Sequence, residues 1–553
     1  MLELAICFVM TVCILRGFFL EGYLVSTGSM APVLLGFHKQ IECPMCQHQF
    51  AFGVRFDESV GDGSVAANSS EPVDARATCP NCGQINIDTS GVPLNHGDQL
   101  LVHKNIFDFR SPNRWEPVVF RNPVSPGEAY VKRVVGLPGE EIQIWDGDVY
   151  VNGQIARKDL VTQRDMRIPV FDVSQVPDDE DWELPWRLDG DWEVTDGQLT
   201  CSSHRDADEP NVIAFRNWRW FGGGHTVEVP LSRDDAYPDW TDFLERFHRI
   251  PISWTSRLEY DEESGLLRCQ GVMPRDMQRD LMTSATNERF RRAIYRLAAL
   301  SHLAPVTDGY GYNSAVSSSE YSVRDLMLDV VIHVDAGEPT IEIDIPVIGQ
   351  LWHIMLNSQS GLIELKQKGD ETVVRSGTVS IGSRELRVEL SNFDRRLLVA
   401  INGEKTFDPV DLSGQLDLSG DDADSMGLAS QSASAASTAE HLRYQNQLQM
   451  KLDGGTCRFT RLQLFRDVYY TPGRRKNAVD SACTIDGNSY FVQGDNSPVS
   501  FDSRSWDDPL VPHEMLVGKP FVVHLPSQPG RLKFAGRELT IRLPDISRIR
   551  YIP

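Results

Sequence analysis

Two sets of side chains in this 553-residue chain have the types and spacing that chemistry requires. The first centres on a serine. Ser26-Thr27-Gly28-Ser29-Met30-Ala31-Pro32 is a short polar turn directly after an apolar run, and Ser29 becomes a nucleophile only if a base can take its proton. No Gly-x-Ser-x-Gly elbow surrounds it, so an α/β-hydrolase reading has no support. The better base is Lys132, in the β-branched and aromatic stretch Tyr130-Val-Lys-Arg-Val-Val135, which the Gly and Pro residues that follow would end. Neighbours in a strand face opposite ways, so Lys132 shares a face with Tyr130 and Val134 while Arg133 points away, and one of the two cations must face inward. A desolvated lysine keeps some neutral amine that can accept a proton, which an arginine cannot. Taken singly, Lys132 reads as a solvated edge residue and Ser29 as a turn serine.

The second set is Cys43-Pro-Met-Cys46 and Cys79-Pro-Asn-Cys82-Gly83, two C-x-x-C knuckles separated by thirty-two residues. Each presents two thiolates on a tight turn, which together read as a four-cysteine zinc ribbon. Two disulfides are the rival reading in an oxidising compartment, while a thioredoxin-like pair lacks its βαβ context. A closed four-thiolate site leaves no open position, so zinc there would be structural. Of the other cysteines, Cys7 and Cys13 fall in the apolar run, and Cys201, Cys269, Cys457 and Cys483 have no metal-like spacing and read as buried thiols.

The elements that would position these groups begin with Leu4–Leu20, seventeen residues in which Arg16 is the only charge. That is near the lower limit for a spanning helix. Glu3 and Glu21 flank the run, without the basic n-region and small-residue cleavage site of a removed signal, so it reads as a retained membrane anchor over residues 1–22. Arg16 lies close enough to one end for its guanidinium to reach the lipid interface. No Lys or Arg precedes the run, and charge bias gives no orientation. Fifty-four basic and 78 acidic residues give a formal charge of −24, a field that repels polyphosphate and argues against nucleic acid as a general partner. The 41% hydrophobic content excludes wholesale disorder, and a mean hydropathy of −0.29 confines membrane contact to a short part of the chain. The length predicts about three or four domains.

Four segments occur in order: Ser26–Pro32, Gly97-Asp-Gln-Leu-Leu-Val-His-Lys104, Tyr130-Val-Lys-Arg-Val-Val-Gly-Leu-Pro-Gly-Glu140 and Gly494-Asp-Asn-Ser-Pro-Val-Ser-Phe-Asp-Ser-Arg504. The series resembles the boxes of the type I signal peptidases, membrane-anchored Ser-Lys proteases, over residues 1–42, 91–158 and 480–530, roughly a third of the chain. The resemblance implies Ser29 as nucleophile and Lys132 as general base. It also implies an oxyanion hole from the Thr27 hydroxyl and the Ser29 backbone N–H, with Ser500 orienting the amine. Met30 would pack beneath the nucleophile, and Asp502 and Arg504 would form a structural ion pair. No histidine is needed, and catalysis takes no cofactor. The implied reaction is acylation of Ser29 and hydrolysis of the acyl-enzyme, on exported preproteins with small residues at −1 and −3. The implied place is the cell membrane, single-pass, with the catalytic domain on the extracytoplasmic side.

The expected fold is mainly β: a transmembrane helix, then a β-rich catalytic domain in three parts, 23–42, 91–158 and 471–553. A ribbon-like insertion at 43–90 and a β-sandwich insertion at 159–470 split it. Alternating stretches at Leu326–Val334, Thr340–Ile345, Trp352–Leu356, Leu362–Lys366, Leu386–Leu390 and Leu397–Ile401 predict strands, with Asn402-Gly403 as a hairpin turn. Trp192-Glu-Val-Thr-Asp-Gly-Gln-Leu199 predicts strand-turn-strand. These patterns look like the laminin-G or concanavalin-like jelly roll, which makes a glycan or surface protein a candidate ligand of the insertion. Trp192, Trp218, Trp220 and Trp352 read as core rather than as a ligand platform. Asn287–Leu300 predicts an amphipathic helix with Phe290, Ile294 and Leu297 on one face. Residues 62–71 and Gln415–Glu440 read as loops, Asp178–Asp181 as an acidic linker and Arg474–Lys476 as a solvated turn. The rival functional readings are a dedicated protease of narrow specificity and a membrane-anchored binding module with a decayed protease frame. The joint presence of Ser29, Thr27, Lys132 and Ser500 argues against decay.

Overall fold

The computed structural model describes residues 10, 19–54, 76–123, 127–203, 211–220, 222, 226–236, 257–313, 321–380, 384–412, 443, 445, 447–524, 526–534 and 537–553. The architecture is mainly β. One antiparallel sheet gathers strands that lie far apart in sequence, in the order Leu20–Leu24, Gln99–Lys104, Leu516–Val523, Pro117–Arg121, Ala129–Gly136, Ser489–Gln493 and Leu510–Pro512. Both faces of this sheet are covered. Val118 and Val119, neighbours on one strand, are fully or almost fully buried in different clusters, Val118 with Phe120, Val134, Tyr490 and Trp506, and Val119 with Val25, Met30, Leu100 and Val102. A strand with two dry faces cannot send either neighbour to water. The expectation that one of the two cations faces inward therefore falls short: Lys132 and Arg133 are 4% and 1% exposed.

Among the described residues no helix is long and apolar enough to cross a membrane. The anchor expected over 1–22 lies mostly outside them, and its last three residues are corrected: Leu20–Leu24 is a strand paired with Gln99–Lys104, Leu20 opposite His103.

Two larger sheets face each other across one core. The first runs Trp192–Thr195, Gln198–Ser203, Gly455–Arg466, Leu326–Ala336, Glu385–Ser391, Arg396–Ile401 and Glu404–Lys405. The second runs Trp186–Asp189, Asn211–Phe215, Gln449–Asp453, Thr340–Val347, Gln350–Asn357, Leu362–Gln367 and Val373–Thr378. Leu328, Val330 and Ile332 of one sheet and Ile341, Ile343 and Ile345 of the other meet in this core, the alternation of a half-buried strand. Both predicted tight hairpins form: Asn402 and Gly403 have φ of 50° and 91°, and Asp196 and Gly197 have 51° and 71°, the left-handed pair that a two-residue turn needs. Trp218 and Trp352 are 4% and 5% exposed, in keeping with a packing role.

The predicted helix spans Glu288–Ser301, with the Asn287 side chain accepting from the Arg289 N–H as its N-cap. It packs not on the sandwich but on a small sheet of Thr226–Pro230, Leu266–Gln270 and Leu258–Asp261, burying Phe290, Ile294 and Leu297 with Val229 and Leu267. The loop expected at 62–71 and the low-complexity loop expected at 415–440 lie outside the described residues.

Candidate active site

The serine turn is pinned at both ends by one residue. Asp98 accepts the Val25 N–H on its backbone carbonyl at 2.9 Å and the Leu35 N–H on its carboxylate at 2.9 Å, while Asp98 N donates to Leu35 O at 2.8 Å. Gly97 beside it leaves no room for a side chain, because a Cβ would fall 1.8 Å from Val25 O. Between these pins Gly28–Met30 forms one 3-10 turn, with Thr27 exposed at its mouth, Ser29 8% exposed and Met30 fully buried among Val25, Leu34 and Leu100.

The turn and the strand Ala129–Gly136 bring together residues 103 positions apart: Lys132 Nζ donates to Ser29 Oγ at 2.5 Å. Thr27 Oγ1 donates to the same oxygen at 3.4 Å. Burial is the main reason that the Lys132 ammonium loses its proton more easily, with a pKa lowered to about 8; Asp502 and Asp495 oppose the shift and Arg504 reinforces it. Once neutral, the amine can accept the Ser29 hydroxyl proton over the same short contact.

Asp502 and Arg504 are both fully buried and form a two-pronged pair, Arg504 Nε to Asp502 Oδ1 at 2.9 Å and Nη2 to Oδ2 at 2.6 Å. The remaining guanidinium N–H groups reach Thr471 O at 2.6 Å and Ser497 Oγ at 2.5 Å, so the loop Gly494–Arg504 is braced from within. Ser500 lies beside the site, since a Cβ on Gly494 would be 2.3 Å from Ser500 Oγ and 2.4 Å from Ser29 O. Its hydroxyl neighbours the Asp502 carboxylate, whose ionised form it helps to stabilise, and makes no hydrogen bond to Lys132 Nζ among the described residues. The expected contact that would orient the Lys132 amine is not made in this state.

Several residues that hold the site had no assigned role in the sequence reading. Asp98 and Asn496 sit inside recognised boxes but were overshadowed by the reactive groups. Asn496 N donates to Ser29 O at 3.0 Å and its side chain donates to Gly28 O at 2.9 Å. Arg133, on the opposite face from Lys132, donates to both carboxylate oxygens of Asp495 at 2.8 and 2.7 Å and to Trp115 O at 2.6 Å. The paired cations of the strand thus grip the serine turn and the 494–504 loop separately; the signal was the Lys-Arg pair itself.

The four ribbon cysteines converge. Cys43 and Cys82 sulfurs are 3.6 Å apart, Cys46 and Cys79 sulfurs 3.7 Å, and all four lie within 4.8 Å of one another. Zn–S bonds of about 2.3 Å in a tetrahedron need sulfurs about 3.8 Å apart, whereas a disulfide needs about 2.0 Å. The four cysteines are free thiols at the metal-like spacing. The knuckles repeat one backbone scheme: Gln47 N donates to Cys43 O, Gly83 N to Cys79 O, and Gln47 and Gly83 take φ of 60° and 79°.

The antiparallel sheet, covered on both faces, thus carries a buried amine against a turn serine. The signal peptidase, peptidase S26 family matches residues 84–206 and 432–525 of the chain. The chain is therefore similar to the S26 signal peptidases over these two segments, which a long stretch outside the match separates. Probable signal peptidase I-2 of Synechocystis sp. is 34% identical over 95 residues, which is 16% of this chain and 41% of that protein. Signal peptidase I of Leptolyngbya laminosa is 42% identical over 69 residues, 11% and 34% of the two chains. Signal peptidase I V of Bacillus subtilis is 38% identical over 74 residues, 13% and 43%. The chain thus spans less than half the length of these relatives. The family match starts at residue 84, after the serine turn, so the place of Ser29 in the site rests on its contact with Lys132.

Proposed function

We propose that the chain is a serine endopeptidase of the signal peptidase I type, which removes signal peptides from exported preproteins with Ser29 as nucleophile and Lys132 as general base. The observation that carries this reading is the 2.5 Å contact between Lys132 Nζ and Ser29 Oγ, with an amine whose pKa burial brings down to about 8. Neutral Lys132 takes the hydroxyl proton as Oγ attacks the scissile carbonyl, and the ammonium then returns it to the leaving amine. The oxyanion is assigned to the Thr27 hydroxyl and the Ser29 backbone N–H, donors worth a few kcal/mol when aimed at the developing charge. Met30, and the Asp502–Arg504 pair, keep the turn and the 494–504 loop in register. Ser500, whose hydroxyl lies beside Gly494 close to Ser29, is assigned to orient the amine once substrate is bound. No cofactor enters these steps.

The apolar run ending by Phe19 serves as the membrane anchor, placing the catalytic domain at the extracytoplasmic face of the cell membrane. There it raises the effective concentration of membrane-bound preprotein. Cys43, Cys46, Cys79 and Cys82 hold a structural zinc, a reading supported by four sulfurs within 4.8 Å of one another, a set whose four thiolates would fill a tetrahedral site. The test is cleavage of a preprotein by the detergent-solubilised chain, compared with Ser29→Ala and Lys132→Ala. Loss of cleavage in both supports the dyad; cleavage at the parent's rate by Ser29→Ala sinks it, and survival in Lys132→Ala alone means another base.

A further inference from the structure

The segment Gly309–Asn313 lies deep in the 159–470 insertion by sequence, yet it packs between the cysteine knuckles and the serine turn. Gly311 lies against the second knuckle, where a Cβ would sit 3.0 Å from the Pro80 ring. Tyr312 spans the gap. Its carbonyl accepts the Gly53 N–H at 2.8 Å, its hydroxyl donates to Phe37 O at 3.1 Å, and its ring lies so close to Gly28 that a Cβ there would be 2.2 Å from Cε1. Tyr310 donates its hydroxyl to Asp495 O at 2.5 Å.

Asn313 completes the contact by a reciprocal amide pair. Its Nδ2 donates to Asn496 Oδ1 at 2.6 Å, and Asn496 Nδ2 donates back to Asn313 Oδ1 at 2.9 Å. Asn496 Nδ2 also donates to Gly28 O. An amide has two orientations of nearly the same shape, and only one presents an N–H to Gly28 O. Gly28 O, which can only accept, sets that orientation, and Asn313, by pairing with both amide atoms of Asn496, holds the side chain in place against it. Tyr312 meanwhile closes the space into which Gly28 would otherwise move.

We infer that Tyr312 and Asn313, supplied by the insertion, are positioning residues for the nucleophile turn, acting on Ser29 through Gly28 and Asn496. The inference rests on the reading of Ser29 as nucleophile and names a further part of that site. Misplacing a nucleophile by about 1 Å costs on the order of a hundredfold in rate, so a turn held partly from outside the sheet that carries Lys132 makes the insertion part of the catalytic apparatus.

The test uses the full chain in detergent, acylated by a small activated ester and assayed on a preprotein. The burst amplitude counts competent serines, and the burst rate reports how well each is placed. Asn313→Ala is expected to lower the burst rate and kcat about ten- to a hundredfold, with amplitude kept and KM within about twofold. Asn313→Asp, of the same shape but without the donor, is expected to behave like the alanine variant. Tyr312→Phe, which keeps the ring against Gly28, is expected to lose less than Asn313→Ala. A parent-like burst rate in Asn313→Ala, or a fall in amplitude alone, overturns the inference. Ser29→Ala separates the two readings: a burst that persists in it removes the nucleophile assignment itself. A silent Ser29→Ala beside a parent-like Asn313→Ala removes only the positioning role.

Discussion

The sharpest consequence of the buried dyad is the direction in which its pH profile should move when the neighbouring ion pair is cut. With Lys132 at about 8 rather than 10.5, the neutral amine makes up about one tenth of the enzyme at pH 7, against about one part in three thousand for an unperturbed lysine. Burial therefore supplies roughly three hundredfold more neutral amine at that pH. The rate kcat/KM, which reports the free enzyme, should rise about tenfold per pH unit up to about 8 and then level off. The ion pair acts on this limb with opposite signs. Asp502 stabilises the Lys132 ammonium and Arg504 destabilises it. Asp502→Asn removes the stabilising charge and leaves Arg504 unmatched, so the limb moves to lower pH. Arg504→Met leaves Asp502 unmatched, and the limb moves to higher pH. Each shift is expected to be on the order of one unit. Both variants strand a fully buried charge at a cost of about 3–5 kcal/mol, so the profiles are taken at a temperature where circular dichroism shows the fold intact. A limb near 10.5 in the parent, or shifts of the same sign in the two variants, would refute the assignment of Lys132 as a base tuned by burial and this pair.

Other expectations follow from single contacts. Gly494→Ala places a methyl 2.3 Å from Ser500 Oγ and 2.4 Å from Ser29 O; kcat should fall on the order of a hundredfold, and an unchanged kcat would mean that the loop yields freely. Arg133→Met leaves Asp495, its partner at 2.7 Å, buried and unpaired, and should lower unfolding free energy by about 3–5 kcal/mol in denaturant titration. The purified chain should carry one zinc per molecule by elemental analysis, and Cys43→Ser should lose the metal and lower the thermal midpoint; a metal-free parent with four titratable ribbon thiols would remove the zinc reading. Replacing residues 185–465 with a short linker should lower preprotein cleavage at least ten- to a hundredfold even though Ser29 and Lys132 remain, because it removes Tyr312 and Asn313; full activity in that variant contradicts their positioning role.

Local chemistry was legible in the sequence wherever periodicity or punctuation carried it. The strand Ala129–Gly136, the helix Glu288–Ser301 and the tight turn at Asn402-Gly403 each follow from patterns within about a dozen residues. The cysteine knuckles are legible for the same reason, since C-x-x-C fixes two sulfurs on one turn. Sheet order is a different matter. Leu516–Val523 lies between Gln99–Lys104 and Pro117–Arg121, a pairing across some four hundred residues that no local pattern announces. The burial of Arg133 was missed for a related reason: strand alternation predicts one wet face, and only the second covering layer, with Asp495 at its edge, makes both faces dry.

The insertion shows why a domain reading by sequence position can divide what the fold joins. Within residues 159–470 the two facing sheets share their own core, and by position alone the insertion reads as a recognition or spacer unit hung on the N-terminal sheet. Contacts at three places contradict that separability. Asn81 of the second knuckle bonds Asp172 O and Gln175 O, Trp182 Nε1 bonds Cys82 O at 3.2 Å, and Asn313 bonds Asn496 beside Ser29. These contacts use backbone carbonyls and amides that would otherwise have to be satisfied by water. The cysteine knuckles, the sandwich and the serine turn are therefore coupled through partly buried hydrogen bonds, and a change at the knuckles should reach Ser29 by way of Pro80, Gly311 and Tyr312. Removing the metal-site cysteines ought then to slow acylation of Ser29 even in molecules that stay folded, although no thiol touches the reacting atoms.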